Sequence, residues 1–227
     1  MKAKVFQINM ERDKNDVKFR GFGELPKLQN SVFVDASLYD EVFNGKLDCE
    51  NVEDTFFMLN SPIHPLFRGH SLSVSDVVVN DKGAFYCDTF GFKQIDFDTA
   101  LTQKPDNLMT VVYVEPNKQP YVAEIEHTLE AEQRAVGGLI EAVYNDDGTC
   151  LICNEEAKLI GMEGNRRIGD GSSIIAGPFF VVGLTADDFR SLTESEVTKY
   201  MDRFAEPENI SQTEVDADTG FTLYTGM

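Results

Sequence analysis

Short runs of alternating apolar and polar residues fill the first hundred positions, and this period of two predicts β-strands. Strands are predicted at residues 3–9, 17–22, 72–79 and 84–92. Two short helices are predicted between them, one from Ser37 to Gly45 and one that starts at Asn51. Ser and Asn favour the first position of a helix, and Gly favours its end. The turn Asn80–Gly83 joins the last two strands into a hairpin.

The second half of the chain shows a similar mixture of strand and helix patterns. Strands are predicted at residues 109–114, 139–144, 149–154 and 173–184. Tyr121–Ala135 places apolar residues at helical spacing and predicts a helix, and Thr193 with Glu196 forms a capping box that opens another. The turn Asn145–Gly148 predicts a hairpin between two of the strands.

A polar segment, Asp96–Asn107, interrupts these patterns and predicts a domain boundary near residue 105. Residues 205–227 hold five acidic residues and no basic ones, which predicts an acidic, flexible tail. We therefore expect an α+β protein of two small domains, residues 1–104 and 105–204. Each is expected to be a small antiparallel or mixed sheet covered by short helices.

The charge of the chain is large and unevenly distributed. The 227 residues carry a net charge of −19. Residues 1–104 hold 12 Lys and Arg against 16 Asp and Glu, whereas residues 105–227 hold 8 against 23. A surface this negative repels nucleic-acid phosphates and anionic membranes, so we expect neither direct nucleic-acid binding nor membrane binding. A protein partner with a basic surface is expected instead, and the oligomeric state stays open.

No apolar run is long enough for a signal peptide or a membrane span, so we expect a cytoplasmic protein. The four cysteines sit singly in apolar surroundings, as reduced core cysteines do. Cys150 and Cys153 have the spacing of a metal or redox pair, but residues three apart on a strand point to opposite faces. We expect both to be buried, reduced and free of metal, and no cofactor is predicted.

The run Arg68–Asp76 is the first candidate binding site. Its polar residues are Arg68, His70, Ser71, Ser73, Ser75 and Asp76. Among the three histidines, only His70 has the neighbouring serines and aspartate that a Ser-His-Asp site would need. The G-x-S-x-G pattern is absent, and alternating serines are more typical of an edge strand or a hydrogen-bonded turn. No catalytic residue is predicted, and these residues are expected to bind a ligand or partner.

The second candidate lies between residues 154 and 171. Its polar residues are Asn154, Glu155, Glu156, Lys158, Asn165, Arg166 and Arg167. The glycines of the Gly161–Gly171 stretch indicate a loop whose amides and arginines hold an anion. In the alternative, the arginines pair with Glu155, Glu156 or Asp170, and the polar residues form a structural turn or a partner contact. We expect alanine at both arginines to impair function more than folding.

The predicted helix Tyr121–Ala135 is the third candidate, because it carries a row of glutamates. These are Glu124, Glu126, Glu130 and Glu132, with Arg134 as the only basic residue. Such a row is usually a solvated polar face. The alternative is that the row imitates phosphates and occupies a basic groove on a nucleic-acid-binding partner.

Two stretches of the chain resemble known families. A resemblance to YodL-like domains over about residues 3–98 rests on PLFRGHSLSVSDVVV followed by FYCDTFGF. A resemblance to the domain-of-unknown-function family numbered 3846, over about residues 111–204, rests on VYVEPNKQPYVAEIEHTLEAEQRAVGGLIEAVY, ICNEEAKLIGMEGNRR, IIAGPFFVVG and FRSLTESEVTKYMDRF. Both families are similar to proteins of conjugative elements, plasmids and phages, often beside antirestriction and DNA-transfer genes. The resemblance implies that context and carries no catalytic residue.

These observations lead to one main hypothesis and two alternatives. The main hypothesis is a non-enzymatic accessory protein of a mobile genetic element that binds a host or element protein through its acidic surface, with blunting of a defence nuclease as the expected role. The alternative is a small-ligand or nucleotide-binding module that uses the Gly161–Gly171 loop with Arg166 and Arg167. An enzyme acting on that ligand is a third reading.

Overall fold

A computed structural model describes residues 1–60, 64–169 and 171–218. The chain divides into two compact units, Met1–Asp106 and Asn107–Met227. Antiparallel sheets and short helices occur in both units, which confirms the predicted α+β class. None of the helices in the described ranges has the length and apolar character needed to cross a membrane.

The N-terminal unit is built around one antiparallel sheet. Its strands are β1 (Lys2–Ile8), β2 (Tyr39–Lys46), β3 (Val77–Asn80), β4 (Gly83–Cys87) and β5 (Phe92–Ile95), and its helices are α1 (Leu25–Gln29) and α2 (Asp54–Met58). The strand order is β2-β1-β3-β4-β5, so the N-terminal strand lies inside the sheet. Phe6, Val77 and Tyr86 belong to a buried cluster that residues 17–25 help to cover.

Four predictions for the N-terminal unit are wrong in whole or in part. The helix predicted from Ser37 to Gly45 is a single 3-10 turn, Ala36–Leu38, followed by strand β2. Burial alternates along β2, with Tyr39 and Phe43 buried, so the true period there is two. The strand predicted at residues 17–22 is a loop that leads into a 3-10 turn at Phe22–Glu24, and residues 72–76 are also a loop. The single strand predicted at residues 84–92 is divided, because β4 ends at Cys87 and β5 begins at Phe92.

Other predictions for this unit are confirmed. Strand β1 lies where the alternation placed it, and β3 pairs with β4 across the Asn80–Gly83 turn. The side chain of Asn51 accepts a hydrogen bond from the amide of Asp54 at 2.9 Å, so it does support the start of α2.

The C-terminal unit contains a larger sheet and a separate hairpin. Its strands are β6 (Leu108–Val114), β7 (Tyr121–Glu126), β8 (Ile140–Tyr144), β9 (Thr149–Asn154), β10 (Gly164–Ile168), β11 (Ser173–Ala176), β12 (Phe179–Leu184) and β13 (Phe189–Arg190). Its helices are α3 (Leu129–Val136), α4 (Glu194–Arg203) and α5 (Gln212–Asp218). The large sheet has the order β7-β6-β12-β9-β8, with β13 beside β12, while β10 pairs with β11.

Both faces of the large sheet are covered. On one face, Val112 and Val181 pack with Tyr200 and Phe204 from the α4 region. On the other face, Tyr113 donates a hydrogen bond from its hydroxyl to the carbonyl of Ala135 in α3 at 2.6 Å. Neighbouring residues of β6 therefore serve opposite layers, as the alternation of a strand requires.

The helix predicted at Tyr121–Ala135 is wrong in its first half. Residues 121–126 form β7, an edge strand whose buried residues are Tyr121, Ala123 and Ile125. The helix starts later, where Thr128 accepts a hydrogen bond from the amide of Ala131. The single strand predicted at residues 173–184 is also wrong, because a turn at Gly177 divides it into β11 and β12.

Local signals predicted two other parts of the C-terminal unit correctly. The Asn145–Gly148 turn joins β8 to β9, and every residue of β8 pairs with a residue of Cys150–Asn154. Thr193 and Glu196 form the capping box that starts α4.

The flexible tail predicted from residue 205 is wrong for residues 205–218. Helix α5 lies within this segment and buries Val215 completely. Ile210 and Val215 pack against Ala157, Ile174 and Ala176 in a small apolar cluster. Residues 219–227 lie outside the described part of the chain.

Candidate functional site

The loop His70–Asp76 is held by Gln7, which sequence reasoning missed. The side-chain amide of Gln7 donates to the carbonyl of His70 at 2.8 Å and to Oδ2 of Asp76 at 2.9 Å. Its Oε1 accepts from the amide of His70 at 3.0 Å. Asp76 Oδ2 also accepts from the amide of Ser73 at 2.8 Å. One strand residue thus brings together both ends of the predicted site.

The serines of this loop are arranged as parts of a hydrogen-bonded turn. Ser73 donates from its hydroxyl to the carbonyl of Ser71 at 2.9 Å, and Ser75 accepts from the amide of Phe19 at 2.9 Å. His70 places Nδ1 2.8 Å from the same Ser71 carbonyl. The geometry therefore fits a hydrogen-bonded turn, which the serine pattern favoured, better than a nucleophile beside its base.

Asp76 is the most unusual group of the loop, because it is a fully buried carboxyl. Its Oδ1 has no hydrogen-bond partner within the described residues. Burial raises the pKa of Asp76 to about 7, although the bonds from Ser73 and Gln7 act in the opposite direction. Beside it, Ser75 and Phe19 both have positive φ angles, 80° and 65°. Non-glycine residues rarely adopt this conformation, so the backbone of this region is strained.

Arg68 belongs to a different cluster, centred on Glu41 of β2. The Glu41 carboxylate is buried and lies 3.0 Å from Lys4 Nζ, 3.5 Å from Lys104 Nζ and 4.0 Å from Arg68 Nη2. Arg68 also donates from Nη2 to the carbonyl of Glu41 at 3.0 Å. Three cations therefore surround one buried carboxylate, which fits a structural ion-pair cluster. Glu41 was not foreseen as a site residue, because its segment was predicted to be helical.

Gly69 is required by the close approach of Gln7. A Cβ atom at this position would lie 2.1 Å from Gln7 Oε1 and 3.1 Å from Val42 Cβ. We expect Gly69→Ala to displace Gln7 and to lower the free energy of unfolding by about 1–3 kcal/mol, because the buried Asp76 loses a donor. Urea denaturation would measure this. Gly23→Ala is the matched control, since nothing lies within 4 Å of its Cβ; equal losses in the two variants would contradict the assigned role.

Asn154, Glu155 and Lys158 lie at a cleft of about 380 Å³ in the C-terminal unit. Asn154 shapes the turn after β9, since its Oδ1 accepts from the amide of Glu156 at 2.8 Å and its Nδ2 donates to the carbonyl of Val136 at 3.3 Å. Lys158 Nζ pairs with Asp218 at 2.6 Å. The cleft is also lined by Glu141, Val143, Cys153, Leu159, Ile168, Ser173 and Ile174.

Arg166 lies on strand β10 rather than in a glycine-rich loop, and it is 1% exposed. Its Nη1 donates to the backbone carbonyl and the side-chain oxygen of Asn165, at 3.0 and 2.9 Å. Its Nη2 donates to the carbonyl of Lys118 at 2.8 Å and to that of Phe204 at 3.0 Å. The premise of the expectation for the double alanine variant, that both arginines lie in a loop away from the core, is therefore wrong for Arg166, because its side chain joins three segments of the core.

Asn165 and Arg167 are also used internally. Asn165 is buried and donates from Nδ2 to the carbonyls of Val114 and Gly177, at 3.0 and 2.7 Å. Arg167 pairs with Glu208 at 2.9 Å and with Glu214. These partners differ from the carboxylates considered from the sequence, of which Asp170 lies outside the described residues. Because both guanidinium groups already bind groups of this chain, neither arginine is available to hold an anion in the predicted loop.

The four glutamates of the third candidate do not form one helical row. Glu124 and Glu126 lie on the outward side of β7, and Glu130 is exposed on α3. Glu132 is 4% exposed, and burial raises the pKa of its carboxyl. The prediction of four glutamates in one row on a helix is therefore wrong, while Glu124, Glu126 and Glu130 remain on the surface.

Cys150 and Cys153 are both buried in β9, as predicted. Burial raises the pKa of the two thiols to about 12 and about 11. Such thiols are mostly protonated at neutral pH and are poor nucleophiles. Across the described ranges, no three His, Cys, Asp or Glu side chains are placed together so that they could hold a metal ion.

Family models match both halves of the chain. Residues 2–97 match the YodL-like domain, and residues 109–205 match the domain of unknown function DUF3846. The chain carries these two domains in tandem. No curated protein and no solved structure matches it significantly.

The YodL-like domain contains the Gln7-centred loop and the Glu41 cluster, and the DUF3846 domain contains Arg166 and the cleft. In the first domain, the distinctive GHSLSVSD stretch is explained by the hydrogen bonds that hold the loop on β1. In the second, the NEEAK stretch forms the turn after β9 and part of the wall of the cleft. At the cleft, Glu155 and Lys158, which were singled out from the sequence, face open space.

Proposed function

We propose that this protein is a non-enzymatic binding protein whose DUF3846 domain binds a protein partner with a basic surface. The observation that carries the proposal is the distribution of charge. Residues 105–227 hold 23 acidic and 8 basic residues. Among the described residues, five of those basic side chains are already paired with carboxylates of the same domain: Lys118, Lys158, Arg167, Arg190 and Lys199.

This pairing leaves the acidic excess to act on a partner. Each pair neutralises one carboxylate locally, and Arg166 is buried against carbonyl groups, so few cations remain to offset the other acids. A negative field of this kind accelerates association with a positively charged protein and disfavours nucleic acid and anionic membranes. The buried, protonated thiols and the hydrogen-bonded turn at His70 give a hydrolytic or redox reaction no support.

The proposed partner is a host or mobile-element protein whose own function requires a basic groove. A nucleic-acid-binding surface is basic because it must bind phosphates, so an acidic protein can compete for it. The resemblance of both domains to proteins of mobile elements supports an anti-defence role, with a defence nuclease as the target. In that role the protein acts by occupying the groove and needs no catalytic residue.

Affinity capture from a bacterial extract at low and high salt tests this proposal. We expect a basic protein to be captured at low salt and released at high salt, because the Debye screening length shortens. Glu124→Gln, Glu126→Gln and Glu130→Gln together should weaken the capture by about tenfold, since they remove three surface charges. Glu132 is left unchanged, because it is buried.

The matched control removes three exposed charges from the other domain. Glu11→Gln, Glu50→Gln and Glu53→Gln change the net charge equally and should leave the capture nearly unchanged. Capture that does not depend on salt, or that weakens equally in both triple variants, would contradict the proposed role of the DUF3846 surface.

A further inference from the structure

We propose that the cleft beside β8 receives a lysine or arginine side chain carried on an extended segment of the basic partner. This inference rests on the proposed function and names the part of the DUF3846 domain that contacts the partner. Three features of the cleft support this inference: an open strand edge, apolar walls and carboxylates at the rim.

Strand β8 lies at the end of the large sheet, because β9 is its only neighbour among the described residues. The carbonyl of Leu139 accepts from the amide of Glu155 at 2.9 Å, and the amide of Asn145 donates to the carbonyl of Thr149 at 3.0 Å. Backbone groups alternate between the two sides of an antiparallel strand. Those of Ala142 and Tyr144 therefore lie on the open edge, where an extended segment can add as another strand.

The walls of the cleft suit the aliphatic part of a long basic side chain. Val143, Ile168, Ile174 and Leu159 supply apolar surface, and Leu159 is 66% exposed. Lysine and arginine bury their methylene groups on such surface while the charged end stays near polar groups. A partner side chain lying here would also cover Leu159, which is otherwise in water.

The charges at the rim select a cation. Glu141 and Glu155 line the cleft and have no ion-pair partner within the described ranges, whereas Lys158 is already neutralised by Asp218 at 2.6 Å. The cleft therefore has two uncompensated carboxylates and no uncompensated cation. Charge complementarity favours a basic side chain over an acidic one, since an anion would meet two like charges.

A blocked heptapeptide with alternating threonine and basic residues, acetyl-Thr-Lys-Thr-Arg-Thr-Lys-Thr-amide, is the probe. It would be titrated into the isotopically labelled intact protein at low salt, and amide shifts would be followed by NMR. We expect saturable shifts at Ala142, Tyr144 and Leu159. The same peptide with glutamine in place of its basic residues should produce none.

The decisive variants remove the rim charges. Glu141→Gln with Glu155→Gln should weaken peptide binding by about tenfold, as expected for the loss of two partly exposed charge contacts. The matched control, Glu194→Gln with Glu206→Gln, changes the charge of the same domain equally at exposed positions outside the cleft and should bind as the natural chain does. Ala142→Pro removes an amide that faces the open edge and should also weaken binding. Unchanged amide spectra would show that each variant is folded.

Three results would overturn the cleft as the binding place: no saturable binding of the basic peptide, shifts confined to other surfaces, or equal weakening in the two double variants. These results do not test the proposed function, which depends on salt-sensitive capture of a basic protein. If that capture persists in the Glu141→Gln, Glu155→Gln variant, the function stands and the cleft does not. If capture lacks salt dependence, the proposed function itself fails.

Discussion

Arg166→Ala is expected to lower the free energy of unfolding by about 3–5 kcal/mol, a loss that few single substitutions cause. The substitution leaves the carbonyls of Asn165, Lys118 and Phe204 without their buried donor. Each orphaned acceptor costs about 1–3 kcal/mol, and the space left by the side chain adds to the loss.

Arg167→Ala is the matched control for this experiment. Arg167 lies next in sequence, but its side chain is about one third exposed and pairs with Glu208 and Glu214. Solvent screens exposed pairs and they contribute little to stability, so the loss should be much smaller than that of Arg166→Ala. The chain has no tryptophan, so urea denaturation followed by far-UV circular dichroism is the suitable measurement. Similar losses of unfolding free energy in the two variants would show that buried Arg166 stabilises the domain no more than exposed Arg167 does.

Asp76→Asn is expected to stabilise the protein at neutral pH and to change its pH dependence. The pKa of Asp76 is raised to about 7 by burial, whereas an unfolded aspartate titrates near 4. Between about pH 4 and 7 the folded state therefore holds a proton that the unfolded state has released. Stability falls as the pH rises through this window, by up to about 4 kcal/mol, and changes little above it.

The variant isolates this contribution, because asparagine has the shape of the protonated acid and does not titrate. Its side-chain oxygen can still accept the bonds from Gln7 and Ser73. The difference in unfolding free energy between variant and natural chain should grow from pH 4 to pH 8 by up to about 4 kcal/mol. A ¹³C titration of the Asp76 carboxyl gives a direct check. A midpoint near 4 would contradict the prediction.

Sequence patterns located those elements whose signals are local. The turn Asn145–Gly148 and the capping box of Thr193 and Glu196 depend on residues a few positions apart, and both are present. Residues 121–126 were misread because their apolar residues also fit a helical period. Their state is decided by pairing with β6, a contact that the local pattern does not contain.

The candidate sites show the same division between local and distant information. The Gly69–Asp76 stretch was recognised as distinctive, but its organiser, Gln7, lies more than sixty residues earlier. Arg166 was expected to lie in an anion-binding loop because glycines surround it in sequence. Its burial is set by Lys118 and Phe204, which are 48 and 38 positions away. The sequence near residue 166 contains no pattern that indicates either partner.

Helix α5 makes the folded unit longer than its family match. The match ends at residue 205, yet Ile210 and Val215 fill the space above Gly164, where a Cβ would lie 2.6 Å from Ile210 Cγ2. A fragment cut at the family boundary would leave Ile174 and Ala176 facing water and would lose both carboxylates that hold Arg167. Residues 206–218 therefore act as an inbuilt cover, and a soluble form of the second domain has to include them.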